Sequence, residues 1–293
     1  MLKSYTKEGK KYGVLELVLE GPAEGNPFVE QGVTGSFSCD AERKDAEGFY
    51  DGDGIYRLRF MPSFAMEYRC LVSTSWGETQ EVKIPVGAAK EGNHGPVRVA
   101  DTFHFAYEDG APYYPVGTTC YVWELQDEKV REETLRSLEA AHMNKLRFCI
   151  FPKHYVYNLR EPERYPFERK PDAPWAPEDY SEKKLKERAG DSFNSYERLQ
   201  FSIEEPEKVW DFSRPDPAYF AHIEACIERL GEMGVEADLI LFHPYDRWGC
   251  SKLGLENENF YLQYVVNRLS AFHNVWWAMA NEFDLFTSKE MKA

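Results

Sequence analysis

The sequence predicts a multidomain chain, with an N-terminal β-sandwich followed by the first half of a (β/α)8 TIM barrel. The β-sandwich is predicted because residues 1–95 contain short strand-like runs that alternate with turn clusters. The half barrel is predicted because residues 96–293 alternate apolar runs with helical patterns, in the order βα, βα, βα, β. We place the boundary in the polar cluster at residues 90–96, which gives domains of residues 1–95 and 96–293.

The strands of the predicted sandwich are marked by apolar or alternating patterns. Strands are expected at residues 12–19 and 55–60, where apolar side chains recur. Turns are expected at residues 24–27 and 48–54, where glycine, asparagine, aspartate and proline cluster. Short strands at this spacing are typical of a sandwich.

The second domain is predicted to contain four strands and three helices. Its strands are expected at residues 116–123, 146–151, 237–242 and 275–280, and its helices at residues 127–143, 217–233 and 258–272. The strands are continuous apolar runs, as in parallel strands that are buried on both faces. A doubly wound sheet is the alternative, but no glycine-rich phosphate loop follows the first strand. A charged, proline-rich segment near residues 153–210 is predicted to be a long loop insertion. Its aromatic residues Trp175, Tyr180, Tyr196 and Trp210 are expected to extend a subsite.

Composition and charge narrow the classes of function. The 293 residues are 43% hydrophobic and carry a net charge of −15, from 35 basic and 50 acidic residues. The hydrophobic content excludes a disordered chain, and no apolar run is long enough to span a membrane. The acidic balance disfavours nucleic acid and anionic membranes as partners. No signal peptide is visible, so a cytoplasmic protein is expected, and its six cysteines are predicted to be buried free thiols.

Polar and aromatic residues follow all four strands of the second domain. Because function lies at the carboxyl ends of the strands in both candidate folds, these residues are the candidate site. They are Trp123 after the first strand, Lys153 and Tyr155 after the second, His243, Tyr245, Asp246 and Trp248 after the third, and Asn281 and Glu282 after the fourth.

The pair Asn281 and Glu282 carries the most information about chemistry. A carboxyl group at the end of a buried strand is expected to be partly desolvated, which raises its pKa toward that of a general acid. The adjacent amide can form a hydrogen bond with a sugar hydroxyl group. A retaining glycosidase needs such an acid and a second carboxylate about 5–5.5 Å away. The alternative interpretation is a helix N-terminus with capping acidic residues.

The other candidates also have alternative interpretations. The group after the third strand suits sugar binding through His243, Tyr245, Asp246 and Trp248. A turn at Asp246 beside a core histidine is the alternative interpretation of this motif. Asp246 could also act as a catalytic base. Lys153 is either an electrophilic group or a partner in a salt bridge. Trp123 either lines a subsite or packs in the barrel. A metal site at these residues is disfavoured because no ligand pair has helical spacing, so neither a metal nor a cofactor is expected.

Several motifs resemble a known family. The stretches at residues 48–52 and 56–62 resemble the DUF5060-type β-sandwich that precedes glycoside hydrolase domains. The remainder resembles a DUF4038-type catalytic domain, a (β/α)8 barrel related to clan A glycosidases. The motifs are PVGTTCY at 115–121, NKLRFCIFPK at 144–153, DFSRP at 211–215, HPYD at 243–246 and ANEFD at 280–284.

This resemblance implies a glycoside hydrolase of the retaining type, acting on a plant-type oligosaccharide or polysaccharide. It implies that Glu282 is the general acid/base and that Asn281 contacts the hydroxyl group beside the anomeric carbon. In that clan the nucleophile follows the seventh strand, and no residue of this chain matches it. A non-catalytic carbohydrate-binding fragment is therefore the alternative function. A half barrel would also expose sheet edges, which predicts a homo-oligomer.

Overall fold

A computed structural model describes residues 1–155, 158, 160–177, 183, 184, 187, 203–244 and 246–285. The chain divides into two compact units. Unit one consists of residues 1–116, 224–236 and 260–275. Unit two consists of residues 117–223, 237–259 and 276–293. The predicted boundary near residue 95 remains a prediction.

Residues 1–116 form twelve strands and one short helix. In chain order these are β1 (Leu2–Tyr5), β2 (Gly9–Lys10), β3 (Leu15–Glu20), α1 (Pro27–Glu30), β4 (Val33–Ser38), β5 (Arg43–Glu47), β6 (Phe49–Tyr50), β7 (Ile55–Phe60), β8 (Glu67–Thr74), β9 (Thr79–Gly87), β10 (Val97–Ala100), β11 (His104–Tyr107) and β12 (Pro112–Tyr113). The strands form three sheets, with the orders β1-β3-β7-β6, β2-β9-β8-β4-β5 and β10-β11-β12. Most neighbours are antiparallel, and β2 with β9 is parallel.

The first two sheets share one apolar core, which makes this region a β-sandwich. Alternate residues of β3 are buried, as its leucine pattern predicts, and they pack with the buried faces of β4, β7, β8 and β9. The rings of Phe37 and Phe60, one from each sheet, stack with their centroids 4.5 Å apart. The prediction of a β-rich N-terminal region is therefore confirmed.

One predicted strand of the sandwich begins later than expected. The pattern predicted a strand from residue 12, but β3 begins at Leu15. Tyr12 has a φ of 62°, and the amide of Gly13 donates to the carbonyl of Lys10, so the chain turns here. The left-handed backbone of Tyr12 is incompatible with a strand.

Within the described residues the remaining elements are the three predicted α-helices and six strands rather than the predicted four, because two further strands form at residues 167–169 and 210–215, where a loop insertion near residues 153–210 was expected. They are β13 (Gly117–Thr119), α2 (Glu128–Ala140), β14 (Lys145–Cys149), β15 (Phe167–Arg169), β16 (Trp210–Pro215), α3 (Pro217–Glu232), β17 (Glu236–Phe242), α4 (Leu255–Leu269) and β18 (Val275–Ala280). One sheet has the order β13-β14-β17-β18, which is the order of the chain, and β13 with β14 is parallel. Strands β15 and β16 form a separate antiparallel pair.

Local chemistry explains where these elements begin and end. The carboxylate of Asp127 accepts a hydrogen bond from the amide of Val130, which caps α2. Helix α4 begins at Leu255, three residues before the prediction, because the amide of Glu258 donates to the carbonyl of Gly254. A side chain at Gly117 would lie 2.3 Å from the carbonyl oxygen of Lys145, so β13 and β14 approach closely only with glycine there. Among the helices that the structure describes, none is long and apolar enough to cross a membrane.

Candidate active site

Backbone hydrogen bonds bring the ends of β13, β14, β17 and β18 side by side in unit two. The amide of Cys149 donates to the carbonyl of Tyr121 at 2.8 Å. The amide of Ile150 donates to the carbonyl of Ile240 at 2.9 Å. The amide of Asn281 donates to the carbonyl of Phe242 at 3.0 Å. The segments that carry the polar residues therefore leave the sheet from neighbouring strand ends.

Lys153 is buried among aromatic rings at this edge of the sheet. Its side chain follows β14, and the residue is only 6% exposed. The ammonium nitrogen lies 3.4 Å from the centroid of the Tyr121 ring and 5.1 Å from that of Tyr155. Burial lowers the pKa of Lys153 below its ordinary value, while interactions with Cys149 and Glu282 act in the opposite direction. Tyr155 is half-buried and meets Tyr121 edge to face.

Glu282 lies just after β18 and interacts electrostatically with Lys153. Its side chain is exposed, so the expectation of a desolvated carboxyl group is not met within the described residues. Met279 and Phe283, which lie near it in the chain, are also exposed. Its φ of 49° is a left-handed conformation that is uncommon for residues other than glycine. Asn281 is half-buried beside it.

His243 and Asp246 are both buried after β17. The Nε2 atom of His243 lies 3.2 Å from the carbonyl oxygen of Phe151. Burial lowers the pKa of His243, and the nearby Asp246 carboxylate opposes this shift only in part. The two oxygens of Asp246 accept hydrogen bonds from the amides of Cys250 and Ser251, at 2.8 and 2.7 Å.

Asp246 therefore caps the short 3-10 turn at residues 250–252. This geometry corresponds to the turn interpretation of the HPYD motif, since both carboxylate oxygens are used by the backbone. Tyr245, which was predicted to bind sugar, lies outside the described residues.

The two tryptophans proposed as sugar-stacking residues are both buried. Trp248 is 0% exposed, and its indole nitrogen donates to Glu161 Oε2 at 2.7 Å. The same carboxylate is paired with Arg247. Trp123 is also buried, and its ring meets Phe148 edge to face at 5.8 Å. A buried ring offers no face to a sugar, so the packing interpretation fits Trp123 and Trp248 as the structure places them.

The predicted loop insertion also contributes buried aromatic rings. Trp175 and Trp210 pack against each other at 5.3 Å, and Tyr165 contacts both. Trp175 and Trp210 were expected to extend a subsite, and here both are buried in the core. Tyr180 and Tyr196, which had the same expected role, lie outside the described residues.

The sequence analysis missed Glu124, which is 0% exposed. Neither carboxylate oxygen has a hydrogen-bond partner among the residues that the structure describes. Burial raises the pKa of Glu124 well above its ordinary value, because the charged form is penalised away from water. Its backbone carbonyl oxygen lies 2.6 Å from His222 Nε2. The available signal was the same as for Glu282, an acidic residue directly after a strand-like run.

No group of three histidine, cysteine, aspartate or glutamate side chains in the described part of the chain is arranged to hold a metal ion. At this edge of the sheet the described residues supply carboxyl, ammonium and amide groups. Glu282, Lys153 and Asn281 supply these groups.

Two protein families match the chain. Residues 8–73 match a domain of unknown function, DUF5060. Residues 100–293 match the apiosidase-like catalytic domain, and this match covers well over half of the chain. The resemblance to DUF5060 is thus confirmed, whereas the DUF4038 assignment stays a prediction. No curated protein matches the chain.

Among the solved structures that are similar to this chain is a candidate glycoside hydrolase from Bacteroides vulgatus ATCC 8482. It is 38% identical, with a TM-score of 0.82 over 98% of this chain. The chain spans only 52% of that protein. A family 5 glycoside hydrolase from the same organism is 13% identical, with a TM-score of 0.37 over 63% of this chain and 32% of its own length. The latter likeness is too distant to carry an argument.

The 38% identical structure and the apiosidase-like match both include the ends of β13, β14, β17 and β18. The match to the catalytic domain includes β13, β14, β17 and β18 together with Lys153 and Glu282. The chain therefore belongs to the apiosidase-like catalytic domain family, preceded by a DUF5060 domain.

Proposed function

We propose that this chain acts in a retaining glycoside hydrolase that cleaves O-glycosyl bonds of plant-type oligosaccharides or polysaccharides. The proposal rests on the position of Glu282. Its carboxyl group follows β18 and interacts with Lys153, and both residues lie in the apiosidase-like match. We further propose that β13, β14, β17 and β18 are the first four strands of a (β/α)8 barrel. Their order in the sheet, which follows the chain, supports this arrangement.

In the proposed mechanism Glu282 first donates a proton to the glycosidic oxygen as the bond to the anomeric carbon breaks. It then accepts a proton from the water molecule that hydrolyses the glycosyl intermediate. The exposure of Glu282 leaves its carboxyl group accessible to a substrate. Asn281 would contact the hydroxyl group beside the anomeric carbon. We assign no residue to the nucleophile.

We also propose that the partner is a carbohydrate, that the protein acts in the cytoplasm and that it forms a homo-oligomer. The proposal on oligomerisation is supported by Trp277 and Met279, whose side chains are exposed on β18. Exposed apolar side chains on a strand favour association with another surface. Light scattering of the purified protein tests this proposal, and a monodisperse monomer would contradict it.

The experiment that tests the hydrolase proposal compares Glu282→Gln with the unaltered protein on two substrates. One is a plant-type oligosaccharide with a poor leaving group, and the other is the matching dinitrophenyl glycoside. Loss of the general acid should lower turnover of the oligosaccharide by roughly 10²–10⁴-fold, because its leaving group needs protonation. Turnover of the activated substrate should fall much less, since its leaving group departs without a proton.

The matched control is Asp284→Asn, which removes an exposed carboxylate two residues away. It should leave both rates unchanged. Equal losses on both substrates for Glu282→Gln would exclude the acid assignment. Binding of oligosaccharides without any hydrolysis by the purified protein would favour the alternative of a carbohydrate-binding fragment.

A further inference from the structure

Unit one contains six charged side chains that form a closed ring of ion pairs. Three are arginines and three are carboxylates, so the charges balance. We call this set the ion-pair ring, and its members are Glu16, Asp51, Arg57, Arg59, Glu224 and Arg268. Each member contacts two others of opposite charge.

Two of the arginines link the sandwich to helical residues of the same unit. Arg59 Nε donates to Glu16 Oε2 at 2.8 Å, and Arg59 Nη1 and Nη2 donate to the two oxygens of Glu224 at 2.5 and 3.2 Å. Arg268 Nε donates to Glu224 Oε1 at 2.5 Å, and Arg268 Nη1 contacts Asp51 Oδ1 at 2.8 Å. Glu224 is therefore held between two guanidinium groups.

Arg57 closes the ring on the sandwich side. Its Nη1 donates to Glu16 Oε1 at 2.6 Å and its Nε donates to Asp51 Oδ2 at 2.5 Å. Guanidinium forks that contact carboxylates in this way fix the relative orientation of the groups as well as their distance.

The ring joins the two regions that match different families. Glu16, Asp51, Arg57 and Arg59 lie in the DUF5060 match, at residues 8–73. Glu224 lies on α3 and Arg268 on α4, and both belong to the apiosidase-like match at residues 100–293. The contact from Arg59 to Glu224 spans 165 residues of sequence. Neither region could form the ring alone.

Burial makes these contacts matter for stability. The side chain of Arg268 is 1% exposed, and those of Arg59 and Glu224 are almost as buried. Burial acts to lower the pKa of Arg268, but Tyr264, Glu224 and Asp51 outweigh it and raise the pKa above the ordinary value. A buried charge that loses its partner is strongly destabilising, whereas surface pairs contribute little.

Further contacts surround the ring on the same surface. The hydroxyl of Tyr264 donates to the carbonyl of Tyr50 at 3.3 Å, and Asn267 Nδ2 donates to the carbonyl of Gly48 at 3.4 Å. The ring of Phe49 lies 4.8 Å from the guanidinium carbon of Arg268. Residues 48–50 of the sandwich are therefore in contact with α4.

We propose that the DUF5060 sandwich is an intramolecular clamp, which holds residues 224–232 of α3 and 260–269 of α4 through the ion-pair ring. The sandwich is then a required structural part of the apiosidase-like region rather than an independent carbohydrate-binding module. Both matched regions unfold together because the buried members of the ring, Arg59, Glu224 and Arg268, come from both of them. This role does not depend on the proposed hydrolase function.

The test uses the full chain and the variant Arg268→Met, which keeps an apolar stem and removes the buried guanidinium. Its melting temperature should fall by roughly 10 °C, because Glu224 and Asp51 lose a buried partner. The matched control is Arg69→Met, which breaks the exposed pair with Glu81 on β8 of the same sandwich. It should change the melting temperature by no more than about 1–2 °C.

Hydrogen exchange followed by mass spectrometry provides the decisive readout. In Arg268→Met, exchange should accelerate both in residues 260–269 and in residues 48–60, and the control should change neither. If Arg268→Met does not fold, the variant Asn267→Ala replaces it. This variant removes only the contact with the carbonyl of Gly48, so we expect the same pattern of exchange to a smaller extent.

Two results would overturn the clamp. One is acceleration confined to residues 260–269, since it would mean that the sandwich does not depend on the helix. The other is protection of residues 48–60 by a plant-type oligosaccharide, since that would make the same surface a sugar-binding site. Joint acceleration without such protection supports the proposal.

Discussion

The ammonium nitrogen of Lys153 lies 3.4 Å from the centroid of the Tyr121 ring. Tyr121 follows the first strand of the sheet in unit two and Lys153 follows the second. A cation over an aromatic face is stabilised by the ring quadrupole, and the effect grows when water is excluded. This contact holds the buried ammonium group of Lys153, which interacts electrostatically with Glu282, at the edge of the sheet where the proposed chemistry takes place.

Replacing Lys153 by methionine should impair the proposed hydrolysis without unfolding the protein. Methionine keeps the apolar packing on Tyr121 but removes the charge near Glu282, so we expect kcat to fall by roughly 10²-fold. Burial lowers the pKa of Lys153, so any alkaline limb of the pH–rate profile that reports its deprotonation lies below the ordinary lysine value and disappears in the variant.

Steady-state kinetics across the pH range measure both effects. The control is Lys129→Met, which removes an exposed ammonium group from α2. An unchanged kcat and an unchanged pH profile for Lys153→Met would show that its role is in packing alone.

At high pH, the variant Glu124→Gln should be more stable than the unaltered protein. The folded state raises the pKa of Glu124, so above the ordinary value of 4.5 the unfolded state loses a proton that the folded state retains. Stability therefore falls as the pH rises through this window, with a slope of about 1.4 kcal/mol per pH unit. Glutamine is neutral and isosteric, and it removes this slope.

Chemical unfolding at a series of pH values measures the difference between the two proteins. We expect similar stability near pH 4.5 and a widening advantage for Glu124→Gln at higher pH. The exposed Glu163→Gln serves as the control and should show no such divergence. A constant difference at all pH values would mean that Glu124 is ionised in the folded protein.

Replacing Asp246 by alanine should destabilise the protein through loss of a cap. The change leaves the amides of Cys250 and Ser251 without their carboxylate acceptor, at a cost of about 1–2 kcal/mol. Thermal unfolding measures this loss, and the exposed Asp172→Ala should have almost no effect. If Asp246→Ala keeps full stability but raises KM for the oligosaccharide, the carboxylate binds substrate instead.

Replacing Trp248 by phenylalanine should also affect stability rather than sugar affinity. The change removes the hydrogen bond from the indole nitrogen to Glu161 and leaves a buried acceptor unpaired, which costs about 1–3 kcal/mol. The control is Trp277→Phe on β18, whose side chain is partly exposed and should tolerate the change. Weaker oligosaccharide binding by Trp248→Phe at unchanged stability would identify Trp248 as a stacking residue.

The sequence predicted the helices and the strands β14, β17 and β18 of the second region closely, because their signals are local, but it missed β15 and β16. Helix α3 begins at Pro217, as its 3.6-residue periodicity and N-terminal proline indicate, and β18 covers the predicted residues 275–280. Strand β13 is much shorter than predicted, since the chain leaves the sheet after Thr119 and enters a 3-10 turn at Trp123. Hydrophobicity alone does not reveal such a turn, because the residues remain buried.

The candidate site was predictable only in part. Glu282 and Lys153 were identified because a charged residue after an apolar run stands out, and the fold brings them into electrostatic contact. The roles expected of Trp123 and Trp248 depended on their exposure, which packing decides. The use of both Asp246 oxygens by Cys250 and Ser251 depends on the backbone path of a single turn.

By itself, the sequence predicted most of the helices and strands of the second region, and it predicted that Asn281 and Glu282 follow an apolar strand. These properties depend on patterns within a few residues. Only the tertiary structure decided that Glu124 is buried without a hydrogen-bond partner among the described residues and that Arg59 pairs with Glu224. The physical reason is that burial and ion pairing depend on groups far apart in the chain, and no local pattern records which of them meet.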